Sequence, residues 1–392
     1  LHRVDRRQRQ MCIRDRGRAF AAAGGSGSVI LADVALEAGL RAAGVSVTRA
    51  DIQVSSPTLS GIDPATGYIE DPVNSATGNF VLPETDVVFG GPSQGLAISR
   101  MYNSTLAAAY DEPEACGVLG PGWSTILDQR LIVTDEQARW VRDDGREIVF
   151  PLTGRNGVSG SPTAEGCHTV EGPWRAAQDN VWISRGDAAD LAGVQGATVA
   201  GPVWIVADNT GSRLIFTAEG AWVGSTSGAG DGIWIERRDG MAISMHSEWG
   251  RSVDLFYAQG RLAKAVASDG RSVSYAYDSH GRLVEVTRPD GVHRYQWDGW
   301  LLSQVIDASG VAQCVNTFDE AGRIRTQRDA TGHLTRFTYL PGGVTVADDG
   351  QGHHSNTWIS DARGRTVGII DADGQRTSMR YDRYGNLVGA TD

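Results

Sequence analysis

The stretch SYAYDSHGRLVEVTRPDGVHRYQWDG, residues 274–299, twice leads an aromatic residue into an aspartate and then a glycine. Tyr277-Asp278 is followed by Gly281, and Trp297-Asp298 by Gly299. Upstream of each pair the residues alternate. Val273, Tyr275 and Tyr277 share one phase, with Ser274 and Ala276 between them; His293, Tyr295 and Trp297 share the next, with Arg294 and Gln296 between. A period of two is that of a strand with one buried face. The aspartate can accept N–H bonds from the coming turn, and the glycine can take the positive φ that ends it. Each unit therefore reads as a β-hairpin. Its last aromatic packs across the sheet, where such pairs contribute on the order of 0.2–1 kcal/mol each.

The phrase recurs along the last third of the chain. Val253/Leu255/Tyr257, Thr335/Phe337/Tyr339 and Thr377/Met379/Tyr381 repeat the alternation, and Cys314/Asn316/Phe318 is a weaker copy. Phe318-Asp319 is followed by Gly322, and Tyr381-Asp382 by Gly385. An apolar residue such as Leu283 reopens the next strand. Gly260 to Gly281 and Gly364 to Gly385 are each 21 residues apart, a period that marks a repeat architecture. One hairpin cannot bury its aromatic row alone, so stacked units must share it. The wet residues between the aromatics leave one face of the sheet apolar. A strip this long exceeds what a soluble monomer exposes. The sheet must curl on itself, be covered by other elements, or hold something against that face.

Residues 138–240 carry a looser version of the same grammar. WVRDDGREIVF, WIVADNTGSRLIF and WIERRDGMAISM each run strand, turn, strand, headed by Trp140, Trp204 or Trp234. A Trp in that position is a packing anchor first and a sugar platform second. Residues 26–43 have helical spacing, with Ile30, Val34 and Leu40 on one face. Residues 1–18 hold seven Arg and two Asp without apolar period, either a disordered arm or a non-native adaptor translation, and stand outside the fold reading.

The chain has 392 residues, a net charge of −11 and 50 Gly. Without the basic start the remainder sits near −16, which argues against nucleic acid as a partner. No apolar run reaches the length of a membrane span, and the start lacks the apolar core of a secretory signal. Cys12, Cys116, Cys167 and Cys314 form no C-x-x-C pair, and the histidines show no zinc spacing. GSTSG at 224–228 has Thr226 where a nucleophile elbow needs Ser. DADG and RDDG lack the later ligands of a calcium loop. These residues point to no catalytic, cofactor or metal site.

One further block has its own signature. Residues 71–105 read DPVNSATGNFVLPETDVVFGGPSQGLAISRMYNST, followed by GVLGPGWSTILDQRLIV at 117–133. Pro121-Gly122 suits the centre of a type II turn, with a strand expected from Trp123 to Leu131. The ordered string Thr77-Gly78-Asn79-Phe80, Tyr102-Asn103, Gly120-Pro121-Gly122-Trp123 resembles the segment that opens the repeat region of Rhs-family proteins. The units YDSHGRLVEVTRPDG and YDRYGNLVGATD resemble their YD repeats.

That resemblance implies a mainly β fold, in which consecutive antiparallel hairpins form a large curled sheet that is part of a shell. Such shells, similar to those of insecticidal toxin complexes and to teneurin repeats, enclose a C-terminal toxin used in bacterial competition. The implied partners are that toxin cargo and a component of a secretion machine, with export that needs no cleaved signal and a secreted or cell-surface location. The family's toxin-releasing segment follows the repeats. GIDPATG at 61–67 only echoes it, so the chain is expected to be a structural, non-enzymatic piece of the shell, truncated within a repeat. The expected organisation is a basic segment (1–18), a helical segment and linker (19–54), the opening segment (55–152), a Trp-rich hairpin region (153–248) and YD repeats (249–392). A second expectation is a cell-surface protein holding glycans through its Trp-rich region.

Overall fold

The computed structural model describes residues 65–90, 95–109, 116–152, 172–177, 179–187, 201–227, 231–350 and 355–392, together with Gly61 and Val199. The basic segment and the helix expected over 26–43 lie outside these residues.

From Trp174 to Thr391 the chain forms one antiparallel ladder of 21 strands, in which each strand pairs with its sequence neighbour. It begins at the strand Trp174–Arg175 and ends at Leu387–Thr391. The Trp-rich hairpins Pro202–Asp208/Arg213–Thr217 and Gly232–Arg238/Met241–Ser247 belong to this ladder as fully as the later repeats do. No backbone register joins the first strand to the last. The sheet nevertheless curls until its ends meet, since the Arg175 guanidinium lies 4.2 Å from the ring centre of Tyr384 in the final turn.

The alternation sets the two faces. Val273, Tyr275, His293, Tyr295, Cys314, Asn316, Thr335 and Phe337 are buried, whereas Ser274, Ala276, Arg294, Gln296 and Thr317 are exposed. The apolar phase points inward. In the last hairpin Thr377, Met379 and Tyr381 are half-buried, and Leu387 and Val388 on the edge strand are exposed.

Each Asp-led turn is built as its residues require. Asp278 Oδ1 accepts the N–H of His280 (2.9 Å) and of Arg282 (3.0 Å), and Oδ2 accepts Arg282 Nε at 2.7 Å. Asp319 does the same with Ala321 and Arg323, and Asp382 with Tyr384 and Asn386. Partial burial opposes the charge of Asp278, but the bonds from Arg282 and His280 outweigh it and lower its pKa. Gly281, Gly322 and Gly385 each carry the positive φ that closes the turn.

Trp297-Asp298 departs from this expected form. Asp298 remains in the strand and pairs with Leu301 across a two-residue turn of Gly299 and Trp300. Its carboxylate takes none of the turn bonds that Asp278 takes, among the described residues. The register is therefore closed by the hairpin length there, and the aspartate is free of the turn.

The opening segment forms smaller sheets. β1 (Tyr68–Ile69) pairs β2 (Val73–Asn74). β3 (Val81–Val88) pairs β4 (Ala97–Asn103), which pairs β5 (Trp123–Thr125). β6 (Arg130–Val133), β7 (Gln137–Val141) and β8 (Glu147–Pro151) make a third sheet. A short helix α1 (Ser104–Ala108) follows β4. The single strand expected from Trp123 to Leu131 is broken by a 3-10 turn at Ile126–Asp128, where Asp128 Oδ1 accepts Val118 N–H at 2.9 Å and Oδ2 accepts Thr125 N–H at 3.0 Å. One carboxylate thus holds three chain positions together. Desolvation pushes this carboxyl up to about 6, against the lowering effect of those two backbone bonds.

Candidate functional site

The site is the seam along which the opening segment seals the inner face of the ladder. The three outcomes open to the apolar strip resolve here into two acting together: the sheet curls, and the opening segment covers the inside.

A regular defect in the ladder prepares the seam. Where Tyr257, Trp297 and Phe318 face Leu262, Leu302 and Ile324, one extra residue sits in the returning strand. Tyr277 against Leu283 and Ser360 against Thr366 repeat the bulge. A bulge removes the residue from the ladder's bonding and frees backbone groups, and buried backbone groups need partners.

The carbonyls are met from within the repeat. Tyr277 Oη donates to Leu262 O (2.7 Å), Trp297 Nε1 to Leu283 O (2.8 Å), and Tyr339 Oη to Ile324 O (2.7 Å). This explains why the repeat's terminal aromatic carries a polar tip: each ring packs on the inner face and its tip closes the previous unit's bulge. Phe318 has no such tip, and the neighbouring Asn316 reaches Leu302 O with Nδ2 at 3.4 Å instead.

Four of the five bulge N–H groups are met by the opening segment. Leu262 donates to Val118 O (2.9 Å), Leu302 to Tyr102 Oη (2.9 Å), Ile324 to Gly78 O (3.0 Å) and Thr366 to Ala65 O (3.0 Å). The opening segment runs backwards along the ladder. Ala65 meets Thr366, Gly78 meets Ile324, Val118 meets Leu262, Leu131 meets Gly220 and Val149 meets Ala177. The β3–β4 hairpin is a local excursion from this order, with Phe89 reaching Arg251 and Arg271 before β4 returns to Tyr295 and Leu302.

Gly78, Tyr102, Gly120 and Trp123 of the opening string touch the ladder itself, and bonds within the opening segment brace them from behind. Asn79 Nδ2 donates to Asn103 Oδ1 at 3.0 Å, and Asn103 Oδ1 also accepts Gly61 N–H at 2.7 Å. Thr77 Oγ1 accepts Asn79 N–H at 3.3 Å. Phe80, Tyr102, Trp123, Tyr295 and Trp297 form a chain of tilted and edge-on ring contacts with centroids 5.4–5.9 Å apart. Gly120 and Gly122 flank the buried Pro121 with positive φ. A Cβ on Gly120 would stand 2.5 Å from the carbonyl oxygen of Gly281, and one on Gly122 2.5 Å from the Tyr102 ring. The opening string and the repeat glycine thus touch directly.

Three residues of this seam, Arg100, Asp86 and Glu84, are not singled out by the sequence motifs. Arg100 is fully buried between Ile98 and Tyr102, on the apolar phase of β4. Its Nε donates to Asp86 Oδ2 at 2.8 Å and its Nη2 to Tyr295 Oη at 2.7 Å, while the Trp123 ring lies 4.5 Å from its guanidinium. Asp86 also accepts Tyr275 Oη at 2.9 Å. Burial works against the guanidinium charge, but Asp86, Tyr295 and Glu84 overcome it and raise the arginine's pKa. Desolvation and the Asp86 charge keep Tyr275 neutral far above its ordinary range. The detectable signal was a charge on the buried phase of a strand, which demands a partner. Glu84 completes the set by accepting Arg288 Nη1 at 2.7 Å.

The Trp anchors divide. Trp140 is buried with Nε1 donating to Gln129 Oε1 at 2.9 Å, and Trp204 is buried against Trp174 and Arg185. Trp234 is half-buried and stacks on His246. Ser244 Oγ lies 2.7 Å from His246 Nε2, and Glu236 approaches that same nitrogen at 3.8 Å, so Glu236 does not orient the far side of the ring. No group of three or more His, Cys, Asp or Glu among the described residues is placed to hold a metal ion, and no described helix is long and apolar enough to cross a membrane.

Fold and seam define a β-hairpin repeat wall whose inner face is sealed by its own N-terminal segment. Residues 256–293 and 361–392 match the RHS Repeat family, and residues 70–150 match a domain of unknown function, DUF6531. Over those residues the chain carries the repeats of the Rhs/YD-repeat family. It is 24% identical over 323 residues to the tRNA nuclease WapA of Bacillus subtilis (strain 168), covering 80% of this chain and 13% of that protein. Among solved structures it is similar to TcdB2-TccC3 without its hypervariable C-terminal region, at 12% identity and a TM-score of 0.29, covering 75% of this chain and 16% of that one. It is likewise similar to the Tc holotoxin pore of Photorhabdus luminescens, at 13% identity and a TM-score of 0.27, covering 83% and 16%. The chain thus spans a small part of each relative's length.

Proposed function

We propose that this chain is the opening and early wall of an Rhs-type shell that encloses a toxic polypeptide and helps to deliver it to a competing cell. Its contribution is steric: the chain excludes, and performs no chemistry of its own. The observation that carries this reading is the seam. A ladder that turns its aromatic face inward, and covers it with a segment bonded to bulge after bulge, is a wall lined along its inner face. The family match supports the toxin context, and WapA, a nuclease by name, is compatible with it. A secreted or cell-surface location follows from the same reading. The burial of Trp140 and Trp204 weighs against glycan binding through the Trp-rich region.

Protease protection of the native gene product tests the proposal. Proteinase K should leave a core containing residues 65–392 together with a protected segment that is toxic when freed. Recovery of residues 65–392 intact while every other segment is digested would overturn it.

A further inference from the structure

The contact that joins the first strand of the ladder to the turn at 382–386 gathers cations. Tyr384 carries two guanidiniums on one ring: Arg175 lies 4.2 Å from its centre and Arg383 4.5 Å. The turn before it adds a third, because Arg363 Nη1 donates to the Arg383 carbonyl at 2.7 Å. An aromatic face attracts each cation, but the cations repel one another. Among the described residues no carboxylate lies within ion-pair distance of Arg175, Arg363 or Arg383. The acids nearby are spent elsewhere. Asp361 Oδ2 is 2.6 Å from Arg365 Nη2. Asp382 Oδ1 accepts the N–H of Tyr384 (2.8 Å) and of Asn386 (3.0 Å), and Oδ2 accepts Asn386 Nδ2 at 2.8 Å. Asp179 pairs with Arg146. Arg175 Nη2 donates only to a neutral oxygen, Asn180 Oδ1 at 2.6 Å, and its Nε is buried with no partner among the described residues.

We propose that Arg175, Arg363 and Arg383 form an anion site that takes a phosphate ion between the first strand and the turns at 361–365 and 382–386. A guanidinium presents five donors in a planar fork that matches phosphate oxygens, and the contacts of these three with neutral oxygens and one ring leave donors over. Arg363, Arg365 and Arg383 with Arg175 face only Asp361 and Asp382, so the local excess is positive in a chain whose net charge is −11. Charges beyond about 8 Å are largely screened at physiological ionic strength, so the local excess governs the site. A bound dianion relieves the repulsion between the guanidiniums and ties the first strand to both turns. Arg383 is exposed, which leaves the site open to solvent. The site rests on these contacts, whether or not the wall encloses a toxin.

Calorimetric titration of the whole chain with sodium phosphate, at a pH that keeps it dianionic and against sodium chloride of equal ionic strength, reads the site. Phosphate should bind saturably with a Kd on the order of 1 mM. Arg383→Gln, at an exposed position that folding tolerates, should weaken binding about tenfold, and Arg175→Gln by a similar factor, as the loss of a charge-assisted contact implies. Arg238→Gln, exposed on a distant turn, should bind as the wild type does. Hydrogen exchange supplies a second readout: phosphate should slow the amides of residues 174–176 and 382–386 in the wild type and leave them unchanged in Arg383→Gln. No saturable binding beyond the chloride control, binding that survives both Arg383→Gln and Arg175→Gln, or an equal loss in Arg238→Gln would each overturn the site.

Discussion

The two regions of this molecule solve the same problem in opposite ways. The ladder is periodic: turn after turn is held by one aspartate, as at Asp278, Asp319 and Asp382, and the bulge of the preceding unit by an aromatic tip, as at Tyr277, Trp297 and Tyr339. The opening segment has no period, and each of its residues on the seam answers a particular place on the wall. The repeat therefore tolerates local variation, as the Phe318 unit shows by substituting Asn316 for a missing hydroxyl. The opening segment concentrates its cost of change in single positions.

That contrast orders the expected effects of substitution. Arg100→Ala takes from buried Asp86 its hydrogen-bonded cation and leaves it only Arg288 at 3.6 Å, and breaking a buried pair in this way costs up to about 3–5 kcal/mol; urea unfolding should show that loss. Asp128 comes next. Its carboxyl is raised from 3.8 to about 6, so the stability tied to its protonated form is complete below pH 3.8 and is lost as pH rises through 6, an amount of about 3 kcal/mol by linkage. Unfolding measured across that window should show the decline, and Asp128→Asn should flatten it. Gly122→Ala sets a β-carbon against the Tyr102 ring at positive φ, whereas Gly299→Ala meets open space at positive φ. The second should cost only the ~1–2 kcal/mol of the backbone conformation, and the first clearly more. Tyr339→Phe removes one bond to a bulge carbonyl and should cost about 1 kcal/mol. Arg282→Ala, a partly exposed partner of its turn aspartate, should cost under ~1 kcal/mol. If the repeat variants proved as damaging as those at Arg100 and Gly122, the contrast between the regions would collapse.

Periodicity explains what was legible in the sequence. The alternation of Tyr275 and Tyr277 with Ser274 and Ala276 showed which face is buried, and Asp278 with Gly281 showed the turn, because both are local relations. The cover over that face was hidden, since the bond from Leu302 to Tyr102 joins residues 200 positions apart and has no local trace. Asp298 illustrates a second limit: a shared dipeptide was read as a shared turn, while the spacing to Leu301 built another. The Arg100–Asp86 pair was hidden for a third reason. A charge on a buried phase announces that a partner exists, but not which one.

The backward run of the opening segment also has a consequence for synthesis. Gly67 leaves the ribosome 299 residues ahead of Thr366, whose hydroxyl accepts its N–H bond. At roughly 5–20 residues per second this is a wait on the order of 15–60 s. The hairpins can close as they emerge, since their contacts are near in sequence. The nascent chain must therefore carry this segment unseated while the rest is made, with Phe80, Tyr102 and Trp123, buried in the finished fold, still without the wall they pack against.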